Sequence, residues 1–403
     1  MTAATLSNLP PASLPLLRLQ KGRSSRLRAG HPWVFSNEID MDARAKALAP
    51  GSLVRLQDAG DEILGTAYFN PHSLIAARLL SRNPDQVIDS AFIAQRIRQA
   101  LALRETLFDR PFYRLIHAEA DGLPGLIIDR FNDHLTVQAN SAGAENLRPL
   151  ILDSLETVLA PAGILWDGSS PVRRLEGLET CYETITGSFE SPLEIEENGA
   201  FFFAHPGEGQ KTGWFFDQRP NRALAANLSK GKSVLDLYSY AGGFGVLAAC
   251  QGATQVQCVD RSAPALEMAQ KAAERNGVAA KISYEKADIF EFLEQAGKRP
   301  ERFGLVIADP PAFVKSKKDL AQGARGYRKL ARLAASLVEP EGFLVIASCS
   351  HHMPLELFQS EVIQGINRRS GRILAQGGAG PDHPVHPQLP ESAYLKALFL
   401  QLD

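Results

Sequence analysis

SVLDLYSYAGGFG, residues 233–245, joins a short apolar run to an acid, Asp236, and then to a cluster of glycines. An alanine-rich apolar segment that starts at Val246 comes next and is typical of the beginning of a helix. A strand, a glycine turn and a helix make the first βα unit of a doubly wound α/β sheet, which binds ligands at the carboxyl ends of its strands. The glycines allow a tight turn and a close approach to a ligand. Alone, the stretch also fits a dinucleotide-binding loop or a turn that only packs.

Length and composition bound the class of protein. The 403 residues favour two or three domains, and the 45% hydrophobic and 22% charged content is that of an ordinary soluble protein. The net charge of −2 gives no global preference for nucleic acid. The four cysteines lack metal-type spacing and disulfide density, which fits a reducing compartment. Without a signal-peptide pattern or a long apolar run, we expect a cytoplasmic enzyme with no bound metal and no membrane contact.

The N-terminal part, residues 1–80, has the pattern of a small β-barrel. Residues 1–15 are expected to be loose, and short alternating runs at 52–56, 63–69 and 74–80 indicate strands separated by turns. Before the first of these runs, five basic residues precede the first acid: Arg18, Lys21, Arg23, Arg26 and Arg28. They indicate either RNA contact or a solvated charged face.

The middle part, residues 81–185, has the pattern of an α+β domain. Helices are predicted at 91–107 and 145–159, and strands at 113–116, 126–131 and 135–137. His117, Glu119 and Asp121 are clustered, but a metal site needs more ligands, so a polar loop is the better interpretation.

From residue 186 to 403 strands alternate with helices, which predicts a parallel, doubly wound sheet. The predicted strands are 256–259, 282–284, 305–308, 343–347 and 393–402, and the predicted helices are 263–276 and 324–337. Upstream of them, Gln218 and Arg219 head a further helix with Pro220 early in it. Their polar groups either reach a ligand in the sheet or cap the helix.

Two further acids come after successive strands of this pattern. Asp260, with Arg261 and Ser262 after it, ends the strand next to Asp236, where an acid binds the hydroxyls of a ligand's ribose. Asp288, with Ile289 after it, comes one strand later and can accept from an adenine amino group. Together with the glycine turn, these acids resemble the class I S-adenosylmethionine-dependent methyltransferases. A dehydrogenase would share Asp260, but the loop is not a strict G-x-G-x-x-G and there is no pyrophosphate to cradle.

The reaction class depends on the residues just after the fourth and fifth strands. Asp309, Pro310 and Pro311 form a stiff turn whose carboxylate can bind the edge of a nucleobase, or which merely ends the strand. Cys349 lies at the carboxyl end of the fifth strand, where the site must be, whereas most cysteines are buried small apolar residues. C5 of a pyrimidine is a poor nucleophile until a thiolate adds to C6. The cysteine therefore favours methylation of a pyrimidine at C5.

The chain resembles the three-domain ribosomal RNA cytosine-C5 methyltransferases, the family of ribosomal large subunit methyltransferase I. The resemblance covers nearly the whole chain. It rests on KGRSSRLRAGHPWVFSNEI (21–39), TGWFFDQRPNR (212–222), DLYSYAGGFG (236–245), DPPAFVKSK (309–317), RGYRKL (325–330), SCSHHM (348–353) and DHPVHPQLPESAYLKALFL (382–400). It implies a PUA domain that binds RNA, a linking domain, a Rossmann-like catalytic domain, S-adenosylmethionine as cofactor and large-subunit (23S) ribosomal RNA as substrate.

The resemblance also implies roles for individual residues. The nucleophile is Cys349, and Asp309 with Pro310 lines the place where cofactor and base meet. The residues expected at the cofactor are Asp236, Tyr238, Gly242, Gly243, Phe244, Gly245, Asp260, Arg261, Ser262, Asp288, Ile289, Asp309, Pro310, Gln218 and Arg219. Better-known RNA cytosine methyltransferases have a second cysteine after the fourth strand, which is absent here. The identity of the group that removes the C5 proton stays open, and the candidates are His351, His352 and Lys315.

A basic segment comes directly after the expected base pocket. The residues expected to hold RNA in the catalytic domain are Lys315, Lys317, Lys318, Arg325, Tyr327 and Arg328, in addition to Lys21, Arg23, Arg26 and Arg28 near the N-terminus. The cations would contact phosphates, and Phe313 and Tyr327 would stack on a base. The target cytosine must leave any helix to reach a thiol. The alternative interpretation of residues 315–318 is a solvated loop. A homodimer is also compatible with the sequence.

Three other functions stay open from the sequence. The Asp-Pro-Pro turn also permits methylation of a purine nitrogen or an exocyclic amine, in which case Cys349 would be dispensable. An RNA-binding or assembly module with vestigial catalysis is a second alternative, which the intact acids at the strand ends disfavour. A dehydrogenase is a third, and a bound nicotinamide would reveal it.

Overall fold

The computed structural model describes residues 10–189, 192–206, 213–366 and 369–403. They form two compact units: the described residues of 1–191, 206–213 and 382–390 make the first, and those of 192–205, 214–381 and 391–403 make the second. Within those four described ranges, no helix has the length and apolar character that a membrane crossing requires.

The first unit begins with a five-stranded sheet in the order β1-β3-β4-β5-β2. Its elements are β1 (Leu16–Arg18), α1 (Ser25–Arg28), β2 (Trp33–Val34), α2 (Ala43–Lys46), β3 (Ser52–Gln57), β4 (Ile63–Phe69) and β5 (Ala77–Ser81). The strand predicted at 74–80 begins later, because the Asn70 amide donates to the Ala76 carbonyl and closes a loop that exposes Leu74. Of the segment predicted to be loose, residues 1–9 lie outside the description, whereas Leu14 is buried in a core.

The rest of the first unit packs helices on a second five-stranded sheet, in the order β10-β9-β8-β7-β6. Its elements are α3 (Ser90–Leu107), β6 (Phe112–His117), β7 (Leu126–Phe131), β8 (His134–Ala139), α4 (Ala142–Asn146), α5 (Arg148–Leu159), β9 (Gly163–Asp167) and β10 (Tyr182–Thr186). Asp89 caps α3 by accepting from the Phe92 amide. The helix predicted at 145–159 is two helices that meet at Leu147.

Ion pairs account for the acids of the polar loop after β6. Asp121 accepts two hydrogen bonds from the fully buried Arg104, at 2.6 and 2.8 Å. Glu119 accepts from the Trp33 indole and from Arg78. Both carboxylates therefore stabilise the first unit. The predicted domain boundary near residue 80 falls inside this unit, where Tyr68 of β4 belongs to the same apolar core as α3.

The second unit contains a hairpin and a seven-stranded sheet. Its strands are β11 (Leu193–Glu197), β12 (Ala200–Ala204), β13 (Ser233–Leu237), β14 (Gln255–Asp260), β15 (Ile282–Lys286), β16 (Phe303–Ala308), β17 (Val338–Ser348), β18 (Gly371–Gly377) and β19 (Lys396–Leu402). Its helices are α6 (Arg219–Leu228), α7 (Gly245–Cys250), α8 (Ala263–Arg275), α9 (Ile289–Ala296), α10 (Leu320–Ala335) and α11 (Leu355–Ile366).

The large sheet runs β15-β14-β13-β16-β17-β19-β18. The first five strands are parallel, as predicted, and the strand order reverses at β13, so that β16 and β17 continue on its other side. The last two strands are antiparallel, so the expectation of a wholly parallel sheet was wrong at that edge. β18 and β19 are consecutive strands with only a short 3-10 helix, Pro390–Ser392, between them, and a parallel connection usually uses an α-helix as its crossover.

Apolar burial holds the sheet between helices. All six residues of β16 are buried, which fits a central strand covered on both faces. On one face, α10 packs Leu330 and Ala334 into the same core as α11's Phe358 and Val362. This rigid centre fixes the strand ends at which the candidate site lies.

Candidate active site

The parallel register brings the polar strand ends of the second unit to one edge of the sheet. Leu237, the last residue of β13, lies opposite Val259 of β14 and Ala308 of β16. Ala308 in turn pairs with Ile346, two residues before the end of β17. The residues just beyond these ends therefore converge at the point where the strand order reverses, and this crevice is where doubly wound sheets bind ligands.

Asp236 is buried at the centre of this edge. One of its carboxylate oxygens, Oδ2, accepts a 2.8 Å hydrogen bond from the Gly245 amide at the start of α7. The other, Oδ1, is buried and accepts no hydrogen bond from the described residues. Burial, with the nearby charges of Asp309 and Asp260, raises the pKa of Asp236 to about 8. A buried acceptor without a donor is uncommon in folded proteins, and a donor from a ligand would satisfy this one.

The glycine turn owes its composition to close packing against the protein. Gly242 has a φ of +77°, and a Cβ at Gly245 would lie 2.6 Å from the Cys258 sulfur and 3.0 Å from Asp236 Oδ2. Tyr238 and Tyr240, in the same turn, also have positive φ values, 60° and 48°. The sequence predicted room for a ligand, but at Gly242 and Gly245 the space that a Cβ would fill is taken by neighbouring side chains. The turn holds its shape because α7 approaches β13 and β14 closely.

We expect Gly245→Ala to destabilise the protein by about 1–3 kcal/mol, because the added methyl group overpacks the contact between α7 and β14. Urea unfolding followed by circular dichroism measures the change. Gly378→Ala is the control, since its Cβ would approach nothing nearer than the Leu395 carbonyl oxygen at 3.7 Å. Equal stabilities of the two variants would contradict the packing account.

Asp260 and Asp288 end the neighbouring strands, as the sequence predicted. Asp260 accepts from the Tyr240 amide at 3.0 Å through Oδ2 and from the Ser262 amide at 2.8 Å through Oδ1. These bonds tie the glycine turn to β14 and leave one further lone pair on each oxygen. Asp288 caps α9 through Oδ1, and its side chain is exposed, with the buried Ile289 beside it. Both carboxylates are positioned for the predicted ribose and adenine contacts, which stay predictions.

The helix that Gln218 and Arg219 begin is anchored by a buried acid. Glu197 of β11 accepts from the Trp214 indole at 3.0 Å, from Arg219 at 3.4 Å and from Arg222 at 2.7 Å. Gln218 is buried, and its side-chain oxygen accepts a 2.6 Å hydrogen bond from the side-chain amide of Asn221. These bonds give Gln218 and Arg219 internal partners, and their predicted contact with a cofactor stays a prediction.

Arg222 was missed from the sequence and lies against the glycine turn. Its side chain is buried, stacks on Trp214 at 4.3 Å, and its Nε lies 2.6 Å from where a Gly243 Cβ would be. Arg222 also acts electrostatically on Asp236 and lowers its pKa slightly against the dominant effect of burial. No local sequence pattern reveals this role of Arg222. Its acid partner, Glu197, lies 25 residues upstream.

Cys349 and Pro310 meet at the end of β17. The Cys349 Sγ lies 3.9 Å from the Pro310 carbonyl oxygen, the distance of a weak S–H···O contact, and the side chain is half-buried. This confirms the predicted proximity of the fifth strand's cysteine to the fourth strand's Asp-Pro-Pro turn. By contrast, Cys258 is fully buried, and burial raises its pKa well above the ordinary value. Cys349 is thus the half-buried thiol at the edge where the acids converge.

Tyr327 holds the backbone on both sides of Cys349. Its hydroxyl is 2.8 Å from the Ser348 Oγ and 2.8 Å from the Ser350 Oγ, and Ser350 also accepts from the Val314 amide. Tyr327 is fully buried and packs on Phe313 and Phe358. The prediction that Tyr327 stacks on a base was therefore wrong: stacking requires an exposed ring, and this ring lies on the core side of α10.

Two more residues at this edge were absent from the sequence prediction. Tyr394, just before β19, stacks on His351 at 4.8 Å and donates a hydrogen bond to Asp217. Lys396, on β19, is buried and donates to the Ser350 carbonyl at 2.8 Å and the Tyr394 carbonyl at 2.7 Å. The signal for Lys396 was a lysine in a mostly apolar final strand, since lysines are almost never buried without a partner.

The predicted RNA-binding cations differ in how far the protein already engages them. Several are exposed with no ion pair among the described residues: Lys21, Arg23, Lys315, Lys317, Lys318 and Arg325. Others pair with acids: Arg26 with Glu38, Arg28 with Asp58 and Glu62, and Arg328 with Glu361. The first group carries the stronger expectation of phosphate contact, because it loses no ion pair on binding.

The residues at the sheet edge fit a cationic, nucleoside-containing cofactor. The unpartnered Asp236 Oδ1 suits a positively charged donor, and Asp260 retains lone pairs for hydroxyl groups. The glycine turn holds no lysine to neutralise a pyrophosphate. Among the described residues, no group of three or more His, Cys, Asp or Glu side chains could hold a metal ion.

Family comparisons agree with this geometry. Residues 17–82 match the PUA-like domain family, and residues 150–398 match the S-adenosylmethionine-dependent methyltransferase family.

The relatives are similar over almost the whole chain. A protein of Tolumonas auensis named ribosomal RNA large subunit methyltransferase I is 38% identical over 95% of this chain and 98% of its own length. A protein of the same name from Pseudoalteromonas atlantica is 35% identical over the same shares. Among solved structures, one described as a SAM-dependent methyltransferase of Streptococcus mutans covers 96% of this chain and all of its own at a TM-score of 0.81 and 22% identity. A methyltransferase complexed with SAH, at 0.82 and 22% identity with the same coverage, shares the fold.

Proposed function

The chain belongs to the ribosomal RNA large subunit methyltransferase I family, and on that premise we propose that it methylates C5 of a cytosine in large-subunit ribosomal RNA through Cys349. The enzyme is a methyltransferase that depends on S-adenosylmethionine. The observation that carries the assignment to C5 of a pyrimidine is the half-buried Cys349 thiol, 3.9 Å from the Pro310 carbonyl at the edge where the acids converge. Methylation of a base nitrogen needs no thiol at that place.

S-adenosylmethionine supplies an electrophilic methyl group, and the residues of the chain that would hold it are Asp236, Asp260 and Asp288. The Cys349 thiolate adds to C6 of the cytosine, and the electron pair of the C5–C6 double bond makes C5 nucleophilic. After C5 has gained the methyl group, a base removes the C5 proton. The C5–C6 double bond re-forms and the bond between C6 and sulfur breaks. The thiolate is regenerated, so Cys349 is a catalyst that is not consumed.

The proton-removing base stays a proposal among three residues near Cys349 in sequence or fold. His351 and His352 come after Cys349 on the same loop and are exposed, and His351 stacks on Tyr394. Lys315 is exposed on the loop that comes after Pro310. His351 is the best supported, because its ring is held by a stacking partner, whereas no described residue stacks on His352 or forms an ion pair with Lys315.

Product analysis and covalent trapping test the proposal together. The full-length protein is incubated with S-adenosylmethionine and large-subunit ribosomal RNA lacking the modification, and the nucleosides are identified by mass spectrometry. In parallel, RNA containing 5-fluorocytosine is used, because fluorine cannot leave C5 as a proton does. We expect 5-methylcytidine from the first RNA and a covalent complex, stable in a denaturing gel, from the second. A methylated purine with no trapped complex would overturn the proposal in favour of nitrogen methylation beside Asp309.

The RNA backbone would be gripped by the loop between β16 and α10. Lys315, Lys317 and Lys318 are exposed there, and a hydrogen bond from Ser316 to Asp319 shapes the turn that presents them. Because this loop comes directly after the Asp-Pro-Pro turn, phosphate contacts from it would position the strand beside Cys349.

Replacing the three loop lysines with glutamine is expected to weaken RNA binding and its dependence on salt. If each lysine neutralises one phosphate, the negative slope of log K against log salt concentration becomes shallower by about 2 for single-stranded RNA. Fluorescence anisotropy between about 50 and 300 mM salt measures it. The matched control replaces Lys230, Lys232 and Lys298, which precede β13 and β16 and so lie at the opposite edge of the sheet. An equal loss in both triple variants would mean that only overall charge matters.

A further inference from the structure

Lys396 is a buried cation on the strand beside Cys349. It is 8% exposed and lies opposite Ser348 in the antiparallel pairing of β19 with β17. Its Nζ donates to the carbonyl of Ser350, the residue after Cys349, and to that of Tyr394. An ammonium group has three N–H donors, so the two carbonyls leave one N–H for another acceptor.

The burial of Lys396 raises the question of what compensates its charge besides the two carbonyls. Burying an ammonium group is costly unless a charge or several hydrogen bonds compensate. Among the described residues, no carboxylate forms an ion pair with Lys396. Burial lowers the pKa of Lys396, and the charge of Cys349 opposes that effect. Ionisation of the Cys349 thiol would therefore favour the charged form of this lysine.

Of the other described groups named so far around Cys349, none supplies a buried positive charge. Tyr327 of α10 is neutral, because burial raises its pKa above the ordinary value. Asp309, after β16, is an acid, and a carboxylate there disfavours a neighbouring thiolate. His351, on the same loop as Cys349, stacks on Tyr394 and is exposed. The Pro310 carbonyl favours the protonated thiol as its donor.

We propose that Lys396 is a positioning residue that holds the loop of Cys349 through the Ser350 carbonyl and stabilises the thiolate with its charge. The inference deepens the proposed function and rests on it for the role of Cys349 as nucleophile. A nearby lysine is one of the recognised means by which proteins make a cysteine reactive at neutral pH. Lys396 would act through Cys349 and need not touch the RNA.

The test is the pH dependence of alkylation at Cys349 in the full-length protein without RNA. Iodoacetamide reacts with the thiolate, and mass spectrometry of the peptide that contains residue 349 separates it from Cys181, Cys250 and Cys258. In Lys396→Gln we expect the apparent pKa of alkylation to rise by about one unit, so that the rate at pH 7 falls about tenfold. Lys396→Arg, which keeps the charge, should restore most of the rate. An unchanged profile in a Lys396→Gln protein that binds S-adenosylmethionine would overturn the proposal.

A control and a reciprocal measurement separate charge from folding. Lys232→Gln removes another lysine of the same unit. Lys232 lies just before β13 and packs on Phe343, and its replacement should leave the alkylation profile of Cys349 unchanged. If Lys396→Gln fails to fold, NMR titration of lysine side chains in Cys349→Ala replaces it. Because the interaction is mutual, Lys396 must then titrate at a lower pH than in the wild type. The same titration in both proteins would equally overturn the proposal.

Alkylation requires neither RNA nor methyl transfer, so the two proposals can fail separately. An unshifted alkylation profile combined with a 5-methylcytidine product would exclude the role of Lys396 and leave the proposed function standing. A shifted profile combined with no cytosine product would do the reverse.

Discussion

Cys349→Ala is expected to lower methyl transfer by at least about a thousandfold while leaving the affinity for S-adenosylmethionine within about twofold of wild type. Without the thiolate, C5 of cytosine stays a poor nucleophile, and among the described residues no other half-buried cysteine lies at this edge. The cofactor contacts should survive, because Cys349 lies at the end of β17 whereas Asp236 and Asp260 belong to β13 and β14. The side chain is only half-buried, so its truncation leaves little cavity.

Single-turnover transfer of a labelled methyl group measures the rate, and calorimetry measures the affinity for S-adenosylmethionine. Cys250→Ala is the matched control, because Cys250 is also half-buried but ends α7. It should keep at least half of the wild-type rate. A Cys349→Ala protein that retains a tenth of the wild-type rate would remove the thiol from the mechanism. Attention would then move to direct methylation of a nitrogen beside Asp309.

The sequence was most informative where function depends on the end of a buried strand. Asp236, Asp260, Asp309 and Cys349 each end or adjoin an apolar run, and parallel strands end at the same edge whatever the details of packing. Their convergence was therefore predictable from the order of the elements alone. The same logic failed at the last two strands, because the 393–402 run does not reveal that its partner β18 precedes it without an α-helix between them.

The side-chain environments could not be predicted in this way. Tyr327 was expected at a base, but which face of α10 it occupies depends on packing with Phe358 of α11, about 30 residues away. Lys396 was missed because its importance comes from the antiparallel register that sets it opposite Ser348. Gly245 was recognised for a different reason than the one found: its missing Cβ makes room for Cys258 rather than for a ligand. In each case the deciding contact is long-range.

Asp236 should make the binding of S-adenosylmethionine depend on pH. In the protein without cofactor, burial and the charges of Asp309 and Asp260 raise its pKa to about 8, so the carboxyl group is mostly protonated at pH 7. A cationic ligand is held by the ionised form, and binding must therefore release a proton. We expect the affinity to increase by up to about tenfold per pH unit as the pH rises from 6 towards 8, and then to level off.

Asp236→Asn should remove this dependence and weaken binding by about ten- to a hundredfold at pH 8.5, the loss typical of a hydrogen bond to a charged group. At pH 6 the difference between variant and wild type should be much smaller. Calorimetry in two buffers of different ionisation enthalpy reports both the affinity and the number of protons released. Asp288→Asn is the control, since its exposed carboxyl group should leave the pH profile unaltered in shape. A wild-type affinity that does not change between pH 6 and 8 would contradict the assignment.

The same substitution should have the opposite effect on stability. The pKa of Asp236 is higher in the folded protein than in the unfolded chain, so its ionisation costs stability as the pH rises from about 4 to about 8. Asparagine cannot ionise, and the cofactor-free Asp236→Asn protein should melt at a higher temperature than wild type at pH 9, with the gap closing towards pH 4. A group that only supported the fold would lose stability on substitution. Gain of stability with loss of affinity is expected only if the buried, unpartnered Oδ1 is maintained for the ligand.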